Sequence, residues 1–266
     1  MSGTVHLVGA GPGAADLLTL RAARLLGEAD IVFYDALVSP EILSLVKTEN
    51  RVAVGKRCGK HSTAQRFINK RLLDAARAYR TVVRLKGGDP MLFGRAQEEI
   101  DFLKSHSIEV EVVPGISAAF AASADLGVSL TKRGVARSVA FVTPRVGEHE
   151  AASRWVDAVL AADTAAIYMG AHDAGAIAAA LIAAGKPAAT PVAVVRNASL
   201  PGATLHTGTL GYLGLLLADA SGGPVMILVG ETFTDAISST KQQVGNEPKG
   251  RDSNAGGLKI AIAAGT

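Results

Sequence analysis

The sequence predicts an α/β fold of two lobes with a ligand cleft between them, and three observations carry that prediction. Short β-rich runs alternate with helical stretches along the chain. The texture breaks near residue 130. Two later strand-like runs follow one another across a Pro-Gly turn with no helix between them. Alternation implies a mainly parallel N-terminal sheet. The hairpin implies a mixed C-terminal sheet.

Element by element, a buried strand is expected over 4–10, a helix with one apolar face over 17–28 and a second strand over 30–34. Helical pattern returns over 62–78, strand over 81–86, helix over 96–105 and strand over 109–113. Residues 117–125 read as a small-residue helix packed closely on its neighbours. Residues 127–134 are polar and bounded by glycine, a linker pattern. Strand 138–143, helix 151–162, strand 165–169, helix 174–184 and strand 191–196 follow. The hairpin partner spans 204–209, a helix 210–220 and the last strand 224–229. The expected division is an N-terminal lobe over 1–130, a C-terminal lobe over 131–236 and a flexible tail over 237–266. Within that tail the apolar run 258–264 has no evident place.

Composition narrows the function. Apolar residues make up 48% of 266, which supports a sizeable core. The excess of 27 Lys and Arg over 24 Asp and Glu is too small to argue by itself for a nucleic-acid footprint, which needs clustered basic charge. One cysteine, Cys58, excludes an internal disulfide and points to a reducing cytoplasm. The N-terminus opens directly on a strand without a secretory leader pattern, and no apolar run reaches the roughly 18 residues of a membrane span. The six histidines lack ligand spacing, so no metal is expected.

Two motifs carry chemistry. Strand 4–10 runs into Gly9-Ala10-Gly11-Pro12-Gly13-Ala14, where a ligand can lie against the backbone. That loop also fits a dinucleotide fingerprint, with Asp35 where a ribose-binding acid would fall, so a nicotinamide-dependent oxidoreductase stays open here. Pro12 fits that pattern poorly because it removes an amide. Strand 81–86 ends in Lys86-Gly87-Gly88-Asp89-Pro90, opening a crevice in which Asp89 is a polar anchor.

With these stand Tyr34-Asp35, Val54-Gly55-Lys56-Arg57, the run from Arg84 to Arg95, Val113-Pro114-Gly115-Ile116-Ser117-Ala118, Tyr168-Met169-Gly170, Asn197-Ala198 and Val229-Gly230-Glu231. In this order and spacing the set resembles the tetrapyrrole methyltransferases, over about residues 4 to 231, and most closely those acting on uroporphyrinogen III. The resemblance implies two α/β lobes, a homodimer, and S-adenosyl-L-methionine as methyl donor, with S-adenosyl-L-homocysteine as product. It places the donor against Pro12, Gly87, Gly88, Asp89, Leu92, Ser117, Ala118, Met169 and Ala198. It makes Asp35 the proton acceptor and Lys56 the proton donor, Lys56 being aligned by its Gly-Lys-Arg motif. It implies two methylations giving precorrin-2 for sirohaem or cobalamin, with a later corrinoid as the alternative substrate. No dehydrogenase–chelatase pattern precedes Val5, so later steps are expected on other chains.

A polycarboxylate substrate should meet cations. Arg57, Lys60, Arg95, Lys132, Arg133 and Arg145 lie beside the motifs, and His61 and Arg137 are further candidates. Three segments depart from the family. Gly94-Arg95-Ala96-Gln97-Glu98-Glu99 replaces Gly-Arg-Gly-Gly-Glu-Glu. Leu130-Thr131-Lys132-Arg133-Gly134 replaces Leu-Thr-His-Arg-Asp. Val142-Thr143-Pro144-Arg145 replaces Val-Thr-Gly-His. Two histidines thereby become permanent cations.

Overall fold

The computed structural model describes residues 2–55, 65–147, 151, 153–218, 222–237 and 260–262. The chain divides into two compact units, Met1–Ala118 and Ala119–Thr266.

In unit 1, β1 (Thr4–Gly9), α1 (Leu20–Glu28), β2 (Ile31–Tyr34), α2 (Pro40–Ser44), β3 (Arg51–Ala53), α3 (Gln65–Ala78), β4 (Thr81–Lys86), α4 (Ala96–Ser105) and β5 (Glu109–Val113) follow in order. The sheet runs β3-β2-β4-β1-β5 and every pairing is parallel. Both faces are covered, as a parallel sheet requires. Val5, Leu7, Val82 and Phe33 pack with Ile68 and Leu72 of α3 and Leu103 of α4. Val8, Val32, Val83 and Leu85 pack with Leu25 and Leu26 of α1 and Ile42 of α2. The first helix begins at Leu20, later than its apolar pattern suggests. The Thr19 hydroxyl caps it by accepting from the Ala22 amide at 3.1 Å. Neither α2 nor β3 is legible from periodicity, because five and three residues are too few.

The second unit carries α5 (Ala118–Leu126), β6 (Val139–Val142), α6 (Trp155–Ala161), β7 (Thr164–Ile167), α7 (Ala174–Ala183), β8 (Pro191–Arg196), β9 (Thr204–Thr209), α8 (Leu213–Leu216), β10 (Val225–Gly230) and β11 (Ile260–Ile262). The order is β11-β9-β8-β10-β7-β6. The β6–β7 and β9–β11 pairs are parallel; the pairs of β10 with β7 and β8, and of β8 with β9, are antiparallel. The sheet is therefore mixed, and β8–β9 is the expected hairpin. Ile167, Ile177, Leu181, Val194, Leu213 and Ile227 form its core. The helix expected over 210–220 is a single 3₁₀ turn, Leu210–Tyr212, followed by the short α8. Gly211 and Gly214 interrupt its helical propensity. A Cβ on Gly214 would stand 3.3 Å from Gly175 Cα of α7, so glycine lets these segments approach closely. Part of the apolar run left unplaced in the sequence supplies β11. Among the described residues no helix is long and apolar enough to cross a membrane.

Candidate active site

Three glycines bring the carboxyl ends of β1, β4 and β5 into backbone contact. A Cβ on Gly9 would lie 2.6 Å from Gly115 Cα and 2.8 Å from the Gly88 carbonyl oxygen. One on Gly115 would run into the Gly88 oxygen and Gly9 Cα. Any side chain at either position forces these ends apart. Gly11 and Gly88 are further paired, the Gly88 amide donating to Gly11 O at 2.7 Å and the Gly11 amide to Gly88 O at 3.2 Å. Gly88 has φ +68°, and the place its Cβ would occupy is open. A ligand can lie directly on that backbone.

Asp89 holds this cradle together. Its Oδ1 accepts from the Met91 amide at 2.8 Å and its Oδ2 from the Gly115 amide at 3.0 Å. Pro12 is half-buried in the turn after β1, between Gly11 and Gly13, both at positive φ. The Ser39 hydroxyl donates to Gly13 O at 2.8 Å while accepting from the Ile42 amide at 3.3 Å, tying the glycine loop to α2. Leu92 is half-buried, and its amide donates to the Asp89 carbonyl at 3.3 Å. Ser117 is buried and Ala118 half-buried at the start of α5. The sequence-predicted donor residues of unit 1 thus gather near one edge of its sheet, at the ends of β1, β4 and β5.

Asp35 follows β2 on that edge, half-buried. A Cβ on Gly55 would stand 2.6 Å from the Ala36 amide nitrogen and 3.0 Å from Asp35 Cα, so the glycine of the Val54-Gly55 pair makes room for this turn. The Arg84 Nη2 donates to Asp35 Oδ1 at 2.6 Å. Arg84 is itself buried on β4, and its Nε donates to Glu99 Oε1 at 3.2 Å. Lys86 Nζ donates to both oxygens of Glu99, at 3.2 and 3.3 Å. Burial pushes the Lys86 ammonium down from its usual range, and the Arg84 charge adds to that. Lys56, the expected proton donor, and the cations Arg57 and Lys60 with His61 lie outside the described residues.

Arg84, Lys86, Glu99 and Gly115 received no role from the sequence. A signal for the charged three was present. Thr81-Val82-Val83-Arg84-Leu85-Lys86 reads as a buried strand, yet two cations share one of its faces. On α4 the buried positions are Ala96, Glu99, Ile100 and Leu103, so Glu99 interrupts an apolar stripe.

On unit 2, Met169 follows β7 with φ +57° and is 45% exposed. Ala198 is buried between Asn197 at φ +52° and Ser199 at φ +69°. The Asn197 amide donates to Pro224 O at 2.9 Å and the Ser199 amide to Asp125 Oδ2 at 2.7 Å, which holds this backbone. Non-glycine residues at positive φ cost roughly 1–3 kcal/mol each and concentrate at ligand sites. Phe141 contacts Tyr168 edge to face, with ring centroids 6.3 Å apart.

The expected substrate cations among the described residues are exposed, Arg95 on unit 1 and Lys132, Arg133 and Arg145 on unit 2. Lys132 Nζ pairs with Asp235 Oδ2 at 2.6 Å, both exposed. Arg133 is exposed in the turn closed by mutual backbone bonds between Lys132 and Ala136, and Arg145 is exposed after β6. Arg95, at φ +55°, grips Glu98 with Nε to Oε1 and Nη2 to Oε2, both 2.7 Å, and this bonding holds the Glu98 carboxyl below its usual range.

A parallel α/β unit that presents bare backbone and two carboxylates, Asp35 and Asp89, at its strand ends is built to take a ligand there. The chain belongs to the tetrapyrrole (corrin/porphyrin) methylase family, whose model matches residues 4–214. It is 44% identical over 234 residues to a siroheme synthase of Psychrobacter cryohalolentis, covering 87% of this chain and 45% of that protein. It is 45% identical to a siroheme synthase of Pseudomonas fluorescens over 86% of this chain and 50% of that protein. The chain thus spans about half the length of these relatives. Among solved structures, uroporphyrin-III C-methyltransferase from Thermus thermophilus, complexed with S-adenosyl homocysteine, superposes with a TM-score of 0.76 at 38% identity. That match covers 88% of this chain and all of the other.

Proposed function

We propose that the chain is an S-adenosylmethionine-dependent C-methyltransferase that methylates uroporphyrinogen III twice, giving precorrin-2 for sirohaem or cobalamin. The observation that carries this is the Gly9–Gly88–Gly115 cradle stapled by Asp89, in a family fold whose Thermus relative bears the demethylated donor. The open space over Gly88 and the half-buried Pro12 and Leu92 suit a ligand laid against backbone. Pro12, Gly87, Gly88, Asp89, Leu92, Ser117 and Ala118 are assigned to the donor, with Met169 and Ala198 from the resemblance. The donor, when bound, supplies a sulfonium methyl, an electrophile that needs no further activation.

This chain's own residues bind, orient and move protons. Asp35 takes up the proton that the macrocycle releases after its carbon has gained the methyl, and Arg84 fixes the carboxylate for that transfer. Lys56 is assigned the proton-donor role. Arg57, Lys60, Arg95, Lys132, Arg133 and Arg145 meet the substrate's carboxylates. The protein acts as a cytoplasmic homodimer, in keeping with its single cysteine and the family resemblance.

The test combines calorimetry and a turnover assay. S-adenosylhomocysteine should bind and NAD should not. Incubation with labelled donor and uroporphyrinogen III should give a product heavier by two methyl groups. Binding of NAD alone would restore the oxidoreductase reading. Methylation confined to later corrinoids would move the substrate along the pathway.

A further inference from the structure

The interior of unit 1 contains a group of charges that substrate binding does not explain. β4 lies inside a parallel sheet with both faces covered, yet it buries Arg84 and Lys86 two residues apart on one face. Two unpaired cations there would be very costly, and arginine cannot shed its proton. Glu99 is what pairs them. Its side chain is fully buried on the apolar face of α4. Oε1 accepts from Arg84 Nε at 3.2 Å, Lys86 Nζ at 3.2 Å and Gln65 Nε2 at 3.0 Å, and Oε2 accepts from Lys86 at 3.3 Å. Gln65 is fixed in turn by donating to Asn69 Oδ1 at 3.0 Å. Above the group, a Cβ on Gly94 would stand 3.1 Å from Lys86 Cε, so the loop after Asp89 closes tightly over it.

All three nitrogens of the Arg84 guanidinium are engaged. Nε is held by Glu99, Nη1 by the Leu85 carbonyl at 3.2 Å, and Nη2 reaches Asp35 Oδ1 at 2.6 Å. A planar fork anchored at two corners has one direction left for the third. The charges also balance, two cations against Glu99 and Asp35. We infer that Glu99 is a positioning residue for methyl transfer: it fixes Arg84 from inside the core, and Arg84 fixes the Asp35 carboxylate for proton uptake. This rests on Asp35 being the proton acceptor.

Without the Glu99 charge, Arg84 and Lys86 compete for Asp35 alone. A glutamine at 99 has the right shape but offers one acceptor oxygen and one donor nitrogen to a site that contains only donors. Lys86, already destabilised as a cation by burial, then gives up its proton or turns toward Asp35. Either way the Arg84 fork loses its inner anchor.

The experiment measures steady-state kinetics and S-adenosylhomocysteine binding for Glu99→Gln, Asp35→Asn, their combination, and Lys86→Met/Glu99→Gln. Glu99→Gln should lower kcat about 10-fold or more while both KM values and S-adenosylhomocysteine affinity stay within about twofold. Its effect should vanish in the Asp35→Asn background, because nothing remains to be positioned. Lys86→Met/Glu99→Gln removes one charge of each sign and should recover kcat to within about threefold of the parent, since Arg84 and Asp35 are again a balanced pair. This double variant also keeps the test alive if Glu99→Gln alone fails to fold. Parent-like turnover of Glu99→Gln beside an inactive Asp35→Asn would overturn the positioning role and leave Asp35 as the acceptor. So would an equal loss in both backgrounds, or a charge-balanced variant no better than Glu99→Gln. Parent-like turnover of Asp35→Asn would remove the acceptor assignment, and the positioning role with it.

Discussion

At the scale of the residue, Asp89 combines two demands in one carboxylate. From the sequence it is a polar anchor for a ligand. In the structure one oxygen closes its own turn on the Met91 amide and the other reaches across to the Gly115 amide. A carboxylate has about four lone-pair positions, so two remain for a ligand while two hold the loops after β4 and β5 in register. Alanine at this position should therefore be felt twice. Asp89→Ala should weaken S-adenosylhomocysteine binding by about 1–3 kcal/mol, the usual loss for a charge-assisted bond or an orphaned partner. It should also lower the melting temperature of the free protein, because the Gly115 amide loses its acceptor. Calorimetry and a thermal melt separate the two effects. A melt unchanged from the parent would mean that the Gly115 contact contributes no stability.

Among the elements, the parallel strands share a device at their amino ends. Asp30, just before β2, accepts from the Arg80 and Thr81 amides at the start of its neighbour β4, at 3.0 and 2.8 Å. Asp163, just before β7, does the same for β6. It takes the Arg137 amide at 2.8 Å, the Ser138 amide at 3.0 Å and the Ser138 hydroxyl at 2.8 Å. Such a carboxylate satisfies donors that the ladder leaves unpaired and sets the register of two adjacent strands. The backbone bond from Arg137, followed by the bonds from Ser138, holds the Asp163 carboxyl below its usual range. A folded-state pKa below the unfolded one adds stability above the unfolded value and loses it as pH falls through the folded value. Asp163→Asn should therefore melt below the parent at pH 7, and the gap should close in the acid range below about pH 4. Melting curves across pH check this. A gap independent of pH would show that the carboxylate charge is not what holds the strands.

For the whole molecule the charge balance is nearly neutral, so any capture of a polyanion depends on where cations are placed. Lys132, Arg133 and Arg145 stand exposed on unit 2, Lys132 paired with Asp235. Exposed pairs of this kind contribute only about 0–1 kcal/mol each, so the Lys132–Asp235 contact does not withdraw the lysine from a passing ligand. Replacing Lys132, Arg133 and Arg145 together by glutamine should raise KM for the tetrapyrrole and flatten its dependence on salt. Affinity for S-adenosylhomocysteine should stay within about twofold, because only the substrate side is altered. Kinetics between low and high ionic strength measure this. An unchanged KM and salt slope would shift substrate binding to Arg57, Lys60 and Arg95.

The alternation of strand and helix, the parallel first sheet, the β8–β9 hairpin and the strand-end motifs were all legible in the sequence. Each is written in local periodicity or in residues a few positions apart. The same local signals failed at α2, β3 and the helix expected over 210–220, where an element is short or rests on neighbours remote in sequence. The glycine motifs were visible one by one. That Gly9, Gly88 and Gly115 meet is a property of the strand order β4-β1-β5, which no local pattern records. Tertiary structure also decided the company of Asp35. Arg84 lies 49 residues from it and Glu99 a further 15, and only the sheet register with α4 packed over it brings the three together. The sequence carried the cost, two cations in an apolar strand and an acid in an apolar helix face. Their pairing is fixed by desolvation in the folded core, where each buried charge is tolerable only beside the others.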